Sequence, residues 1–275
     1  MRTALEALPG RLRRLADRAR LRLSAYRPHL PEAIDLERIQ AQAAGYFHLP
    51  PEEVGARFRA YQEFHHRKGY AQRLGEARTL SFEEAFLVFL SLERAQPQNV
   101  VEIGTQHGKS TRRILDMLAL LGLPARVTCF DIRDELRFVS HEEVRLELRD
   151  VTGEFERAVL EPLQPAFLFL DARPYALLME ALTAWLRWSA GRRALLAVHD
   201  CSPGLYNARM FIPKDAPERI SSRSGVWERH VLSEVFQAPQ EALEDLRTPQ
   251  HHLRIFPTRH GLALLGPHAV LEGEG

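Results

Sequence analysis

The stretch that decides the fold is VVEIGTQHGKST, from Val100 to Thr111, in which an apolar run ends in a glycine turn. Its last four residues copy the end of the phosphate-loop pattern G-x-x-x-x-G-K-[ST]. Only three residues separate Gly104 from Gly108, one fewer than that pattern requires. Glu102 stands two residues before the first glycine, where its carboxylate would repel a triphosphate. The stretch therefore predicts a strand, a turn and a helix that receive a ligand other than ATP, preferably a cationic one.

Short apolar runs alternate with helical stretches from residue 99 onward, a pattern typical of a parallel sheet covered on both faces. The runs are NVVEI, RVTCFDI, VRLEL, AFLFLD and ALLAVHD. Helices are predicted near residues 110–121, 153–160, 174–188 and 226–236, and LRIF with LALL predicts a closing hairpin. We therefore predict an α/β fold, with a Rossmann-like, doubly wound, mostly parallel sheet and a C-terminal antiparallel hairpin.

The chain divides into two predicted regions. Residues 1–95 form an N-terminal helical extension whose basic leading helix is suited to dimer or lid contacts, and its last helix begins at a capping box, Ser81 with Glu84. Residues 96–275 form the main domain, with an irregular insertion at 201–225.

Composition excludes several classes of protein. The 275 residues are 45% hydrophobic and 27% charged with a net charge of +1, which does not favour a nucleic-acid partner. No apolar run approaches the roughly 20 residues of a membrane span, and no secretory signal pattern is visible. Two cysteines provide no disulfide framework. We expect a cytoplasmic protein.

Asp131, at the end of the second predicted strand, limits the classes of ligand that fit the site. An acidic residue there can accept hydrogen bonds from both hydroxyls of a ribose. A ligand with a ribose and a positive charge, held beside the glycine turn, fits Glu102 and Asp131 together. NAD fits less well because G-x-G-x-x-G is absent.

In these features the sequence resembles the class I S-adenosylmethionine-dependent methyltransferases. Within them it is similar to the catechol- and macrocin-type small-molecule O-methyltransferases, including the branch once grouped with cephalosporin hydroxylases. The stretches that carry the resemblance, between about residues 80 and 267, are VVEIGTQHGKST, CFDI, FLFLDARPY and LLAVHD. The resemblance implies S-adenosylmethionine as cofactor, O-methylation of a small-molecule hydroxyl such as that of a sugar or secondary metabolite, and a homodimer.

The resemblance also implies a cofactor site. Glu102 matches the acid near the methionine portion, Asp131 the ribose ligand and Asp150 a polar residue near the adenine, although Asp150 is equally suited to a solvated loop. The implied cofactor-binding residues are Glu102, Gly104, Thr105, Gln106, Gly108, Ser110, Asp131, Ile132, Asp150 and Asp171.

The residues expected near the transferred methyl group are implied by the same resemblance. Asp171 and Asp200 match two Mg²⁺ ligands, and hard oxygen donors are what magnesium requires. Cys201 occupies the third position, where the family has Asn or Asp, and its sulfur suits magnesium poorly, so metal dependence stays open. The family's basic lysine is missing from ARPY, which leaves His199 as the candidate general base or as a strand-end histidine satisfied by hydrogen bonds.

The insertion is where such enzymes bind the acceptor, and we expect Tyr206, Arg209 and Trp227 nearest to it, with a packing role as the alternative for Trp227. A methyltransferase-fold protein that binds without catalysis and one that acts on a macromolecule are the alternative functions. RNA is disfavoured because no [DN]-P-P-[YF] motif follows the fourth strand, and a phosphate-loop nucleotidase is disfavoured by Glu102.

Overall fold

The computed structural model describes residues 34–74, 80–172, 174–201, 215–217 and 227–273. Within these residues eight strands form one sheet, in the order β3-β2-β1-β4-β5-β8-β7-β6. The strands are β1 (Asn99–Ile103), β2 (Arg126–Asp131), β3 (Arg145–Leu148), β4 (Phe167–Leu170), β5 (Leu195–Val198), β6 (Asp245–Arg247), β7 (His251–Phe256) and β8 (Leu262–Pro267). Strands β1 to β5 are parallel, whereas β8 lies antiparallel to β5 and pairs with β7, which pairs with β6.

Helices precede and connect these strands. Those of the described residues are α1 (Leu36–Phe47), α2 (Pro51–Lys68), α3 (Tyr70–Leu74), α4 (Phe82–Ala95), α5 (Lys109–Leu120), α6 (Glu161–Leu163), α7 (Tyr175–Ser189), α8 (Trp227–Phe236) and α9 (His268–Glu272). A π-helical turn, Glu156–Leu160, leads directly into α6. The capping box predicted at α4 is present, with both the Ser81 and Glu84 side chains bonded to backbone amides.

The strands other than β3 and β6 are largely buried on both faces, so alternate residues enter two separate hydrophobic cores. Phe167, Phe169 and Ala197 face the core beneath α1, α2, α4 and α5. Leu168 and Val198 face the core beneath α7 and α8. The described part of the N-terminal extension therefore covers one face of the sheet, and the domain boundary predicted at residue 95 is crossed by a continuous core.

The predicted fold class is confirmed, including the five parallel strands and the terminal hairpin. The sequence does not predict β6, because three residues at an edge, two of them exposed, carry no apolar pattern. The predicted basic leading helix lies outside the described residues. Among the described residues, no helix is both long and apolar enough to cross a membrane.

Candidate functional site

Three parallel strands end side by side at the centre of the sheet. The backbone N–H of Gly104 donates to the Phe130 carbonyl at 2.9 Å, and that of Asp171 donates to the Ile103 carbonyl at 2.9 Å. Strand β1 lies between β2 and β4. The strands that follow it along the chain are therefore added first on one side of β1 and then on the other, so the strand order reverses at this point. Ligands of open α/β sheets bind in the crevice that opens beyond the carboxyl ends at such a position.

The turn after β1 requires its glycine. Gly104 has φ +91°, and a Cβ atom there would lie 2.4 Å from the Asp171 carbonyl oxygen. Gly108, with φ +76°, precedes the first turn of α5, where a Cβ atom would meet a methyl group of Val139 at 2.7 Å. Gln106 also has a left-handed backbone, with φ +48°. The chain between β1 and α5 is thus folded tightly, and it presses against the residue that ends β4.

Glu102 explains why G-K-S-T is not a phosphate loop here. Its carboxylate is fully buried and accepts hydrogen bonds from the hydroxyl groups of Ser110 and Thr111, in the first turn of α5. The Lys109 ammonium instead lies 5.5 Å from the centroid of the Phe138 ring. Burial raises the pKa of Glu102 to about 7, although the two hydroxyl groups oppose the rise. Glu102 therefore links β1 to α5 by hydrogen bonds, and its carboxyl group gains or loses a proton near neutral pH.

The predicted ribose and adenine residues lie at the ends of β2 and β3. Asp131 accepts hydrogen bonds from the backbone N–H groups of Gln106, at 2.7 Å, and Arg133, at 3.2 Å. The next side chain, Ile132, is 69% exposed, which suits an apolar contact with a flat ring. Asp150 is exposed and accepts from the Thr152 hydroxyl group, which lowers its pKa. The glycine turn and Asp131 are thus in direct contact, whereas Asp150 makes only a local turn.

The predicted catalytic residues form one cluster at the ends of β4 and β5. His199 Nδ1 lies 3.4 Å from an Asp171 carboxylate oxygen and 3.5 Å from an Asp200 carboxylate oxygen. One ligand atom from each of the three residues lies within 4.8 Å of the others. Asp200 has φ +65°, a strained conformation for a residue other than glycine, and such strain is concentrated at functional sites.

A fourth residue, Glu84, completes this cluster and is missed as a site residue by the sequence. Its buried carboxylate accepts from the Ser81 N–H at 2.7 Å, the Thr258 hydroxyl at 2.9 Å and the His260 N–H at 2.7 Å. It also lies 3.3 Å from His199 Nε2. The capping box was the available signal, but it did not show that the capping carboxylate reaches across to β5.

The surroundings of His199 bear on its predicted role as a base. Burial lowers the pKa of this imidazole, but Asp171, Asp200 and Glu84 outweigh burial and raise it well above its ordinary value. These carboxylates favour the protonated form of the imidazole, which makes it less suited to accept a further proton. Its role as general base stays a prediction, and the electrostatics favour a different one.

The geometry bears on two further expectations from the sequence. Cys201 is buried against the α7 and α8 face of the sheet, with its sulfur near the Val198 and His199 carbonyl oxygens, so it does not occupy a third ligand position. Trp227 is 1% exposed and packs in the same core, which matches the packing alternative rather than acceptor contact. Tyr206 and Arg209 lie outside the described residues.

Comparison with known proteins finds a family model that matches the central part of the chain. Residues 101–201 match the family model described as a methyltransferase domain. The match covers less than half of the chain and agrees with the Rossmann-like strand order of the sheet. The glycine turn, Asp131, Asp171, His199 and Asp200 lie within the matched segment, whereas Glu84 lies outside it. No curated protein matches the chain in sequence.

Several solved structures are similar to the chain at low identity. A methyltransferase from Podospora anserina bound to S-adenosylhomocysteine is 14% identical, with 89% of this chain and 99% of that one covered and a TM-score of 0.47. TomG from Streptomyces achromogenes, an O-methyltransferase of tomaymycin synthesis in complex with S-adenosylmethionine, is 16% identical, with 87% and 92% covered and a TM-score of 0.43. An O-methyltransferase from Bacillus cereus is 15% identical, with 75% and 90% covered and a TM-score of 0.42.

Proposed function

We propose that the protein transfers a methyl group from S-adenosylmethionine to a hydroxyl oxygen of a small molecule. The observation that carries this proposal is the direct contact between the glycine turn that follows β1 and the end of β4. The Gly104 turn, on the cofactor side, packs against the backbone of Asp171, whose side chain belongs to the carboxylate cluster. A sulfonium held by the turn would therefore face an acceptor held by the cluster, as an in-line displacement requires.

The cofactor side fits S-adenosylmethionine through groups of this chain. The missing side chain of Gly104 leaves the backbone open to close approach by a ligand. Asp131 presents a partly exposed carboxylate at the end of β2 for the ribose, beside exposed Ile132 for the adenine. The backbone N–H of Gln106 now bonded to Asp131 can stay in place, since a carboxylate has further acceptor capacity.

The acceptor side fits a hydroxyl group held by a divalent cation. Asp171 and Asp200 are partly exposed carboxylates 3.4 Å and 3.5 Å from the same imidazole nitrogen, and hard oxygen donors of this kind hold Mg²⁺ or similar ions. Such an ion, when bound, supplies Lewis acidity that eases loss of the hydroxyl proton. The net charge of +1 does not favour a nucleic-acid acceptor. The homodimer and the cytoplasmic location stay predictions.

The test is methyl transfer from isotopically labelled S-adenosylmethionine to a panel of sugars, catechols and phenols, with mass spectrometry of the products. We expect an O-methylated product that disappears with Asp171→Asn, whereas Asp134→Asn, at an exposed position of the same chain, retains activity. Binding of S-adenosylhomocysteine should be measured first on the same samples. Binding without transfer to any acceptor would favour the binding-protein alternative, and transfer to nitrogen alone would contradict the O-methylation proposal.

A further inference from the structure

The inference concerns His199 and deepens the proposed function, on which it rests. The imidazole lies between the Glu84 carboxylate on one side and the Asp171 and Asp200 carboxylates on the other. Its Nε2 atom is 3.3 Å from Glu84, and its Nδ1 atom is 3.4 Å from Asp171 and 3.5 Å from Asp200. The side chain is only 7% exposed, and among the described residues Nδ1 has no hydrogen-bond partner of good geometry. A buried polar atom that points between two carboxylates without a bond of its own calls for a ligand.

Glu84 fixes which nitrogen faces that space. The Ser81 N–H, the Thr258 hydroxyl and the His260 N–H hold its carboxylate in place, and His260 Nδ1 lies 3.1 Å from it. A carboxylate fixed in this way accepts the proton on His199 Nε2 and leaves the lone pair of a neutral ring on Nδ1. Histidine ligands of metal ions are commonly oriented by a carboxylate on the opposite nitrogen.

The path of β5 brings this nitrogen to the cluster. His199 continues the alternation of Leu195 and Ala197 and therefore lies on the α4 face of the sheet, beside Glu84. The left-handed conformation of Asp200 then breaks the alternation and turns Cys201 to the opposite face. The donors that remain are one imidazole nitrogen and two carboxylates, with ligand atoms within 4.8 Å of one another.

We propose that His199 is a metal ligand through Nδ1, that Glu84 is its positioning residue, and that the site prefers a first-row transition-metal dication to Mg²⁺. Imidazole suits transition metals, whereas Mg²⁺ takes oxygen donors and keeps most of its water. The nitrogen at the third position therefore departs from the all-oxygen magnesium site that the sequence resemblance implies. Cys201 takes no part, because its sulfur lies on the other face of the sheet.

The first experiment uses the metal-free, full-length protein. Titration with Mn²⁺, followed by the loss of the free-ion EPR signal, and competition with Mg²⁺ give the ratio of the two affinities. We expect Mn²⁺ to bind on the order of 10-fold or more tightly than Mg²⁺, and pulsed EPR to detect a ¹⁴N nucleus coupled to the bound Mn²⁺. Equal affinities, or no nitrogen coupling in the bound state, overturn the proposal without any variant being made.

The second experiment identifies the nitrogen. His199→Asp replaces the imidazole by an oxygen donor, so we expect the ¹⁴N coupling to disappear and the preference for Mn²⁺ over Mg²⁺ to shrink. The matched control is His141→Asn, which removes an exposed imidazole from a neighbouring loop and should change neither result. Nitrogen coupling that survives in His199→Asp contradicts the assignment.

The third experiment separates positioning from simple structural support. Glu84→Gln should weaken Mn²⁺ binding by about 10- to 100-fold and change the ¹⁴N coupling of the ion that still binds. A purely structural role would lower thermal stability and leave the coupling as it was, which would overturn the part assigned to Glu84. S-adenosylhomocysteine binding on the same samples keeps the two proposals distinct: its absence counts against the proposed function, whereas its presence with no metal selectivity counts against this inference alone.

Discussion

Replacing Glu102 by glutamine should change how the stability of the protein depends on pH. The carboxyl group is fully buried, and burial raises its pKa from 4.5 to about 7. Between these values the unfolded chain releases a proton that the folded protein keeps, so the free energy of unfolding falls as pH rises. A shift of this size corresponds to about 3 kcal/mol at and above neutral pH. Glu102→Gln removes the ionisation and therefore this loss.

The assay is urea unfolding, monitored by tryptophan fluorescence, of the wild type and of Glu102→Gln between pH 4.5 and pH 8. The Ser110 and Thr111 hydroxyl groups can rotate to serve the amide, so the variant is expected to fold. The stability of the wild type minus that of the variant should fall by about 3 kcal/mol across this range and then level off. Glu142→Gln, at an exposed position, provides the control for loss of one carboxylate. A difference that stays constant with pH would refute the account of Glu102.

Two further substitutions test the cofactor side of the crevice. Gly104→Ala would place a methyl group 2.4 Å from the Asp171 carbonyl oxygen. The free energy of unfolding in urea should fall by about 3 kcal/mol or more, and S-adenosylhomocysteine binding should be lost as well. Gly122→Ala, also at positive φ but in open space, should cost only about 1 kcal/mol, and equal costs would contradict the clash. Asp131→Asn should weaken S-adenosylhomocysteine binding about 10-fold or more by calorimetry, because one charged acceptor is lost. Unchanged affinity, as expected for the surface control Asp134→Asn, would remove Asp131 from the proposed ribose site.

The fold was predictable because its signals are local. Each parallel strand is a short apolar run, and the ends of those runs place Glu102, Asp131 and Asp171 at one edge of the sheet by topology alone. The capping box at α4 was likewise complete within four residues. By contrast, β6 could not be predicted, since its pairing with β7 depends on tertiary contact rather than on an apolar pattern.

The reacting end was only partly predictable, for a reason that lies in one backbone angle. Strict alternation along β5 would leave His199 and Cys201 on the same face, and the sequence gives no sign that Asp200 adopts φ +65°. That single turn separates the two side chains and makes His199 rather than Cys201 the third group of the cluster. The contact between Glu84 and His199 joins residues 115 positions apart and was beyond any local pattern.

The position of Glu84 along the chain has a consequence for synthesis on the ribosome. The helix that it caps can form early, since its own hydrogen bonds are local. Its bond to the Thr258 hydroxyl, however, must wait for a residue 174 positions later, in the turn between the last two strands. Domains tend to fold from the N-terminus as they emerge. A nascent chain can thus build most of the sheet while this carboxylate still lacks Thr258 and His260 as partners, and formation of the closing hairpin completes the surroundings of His199.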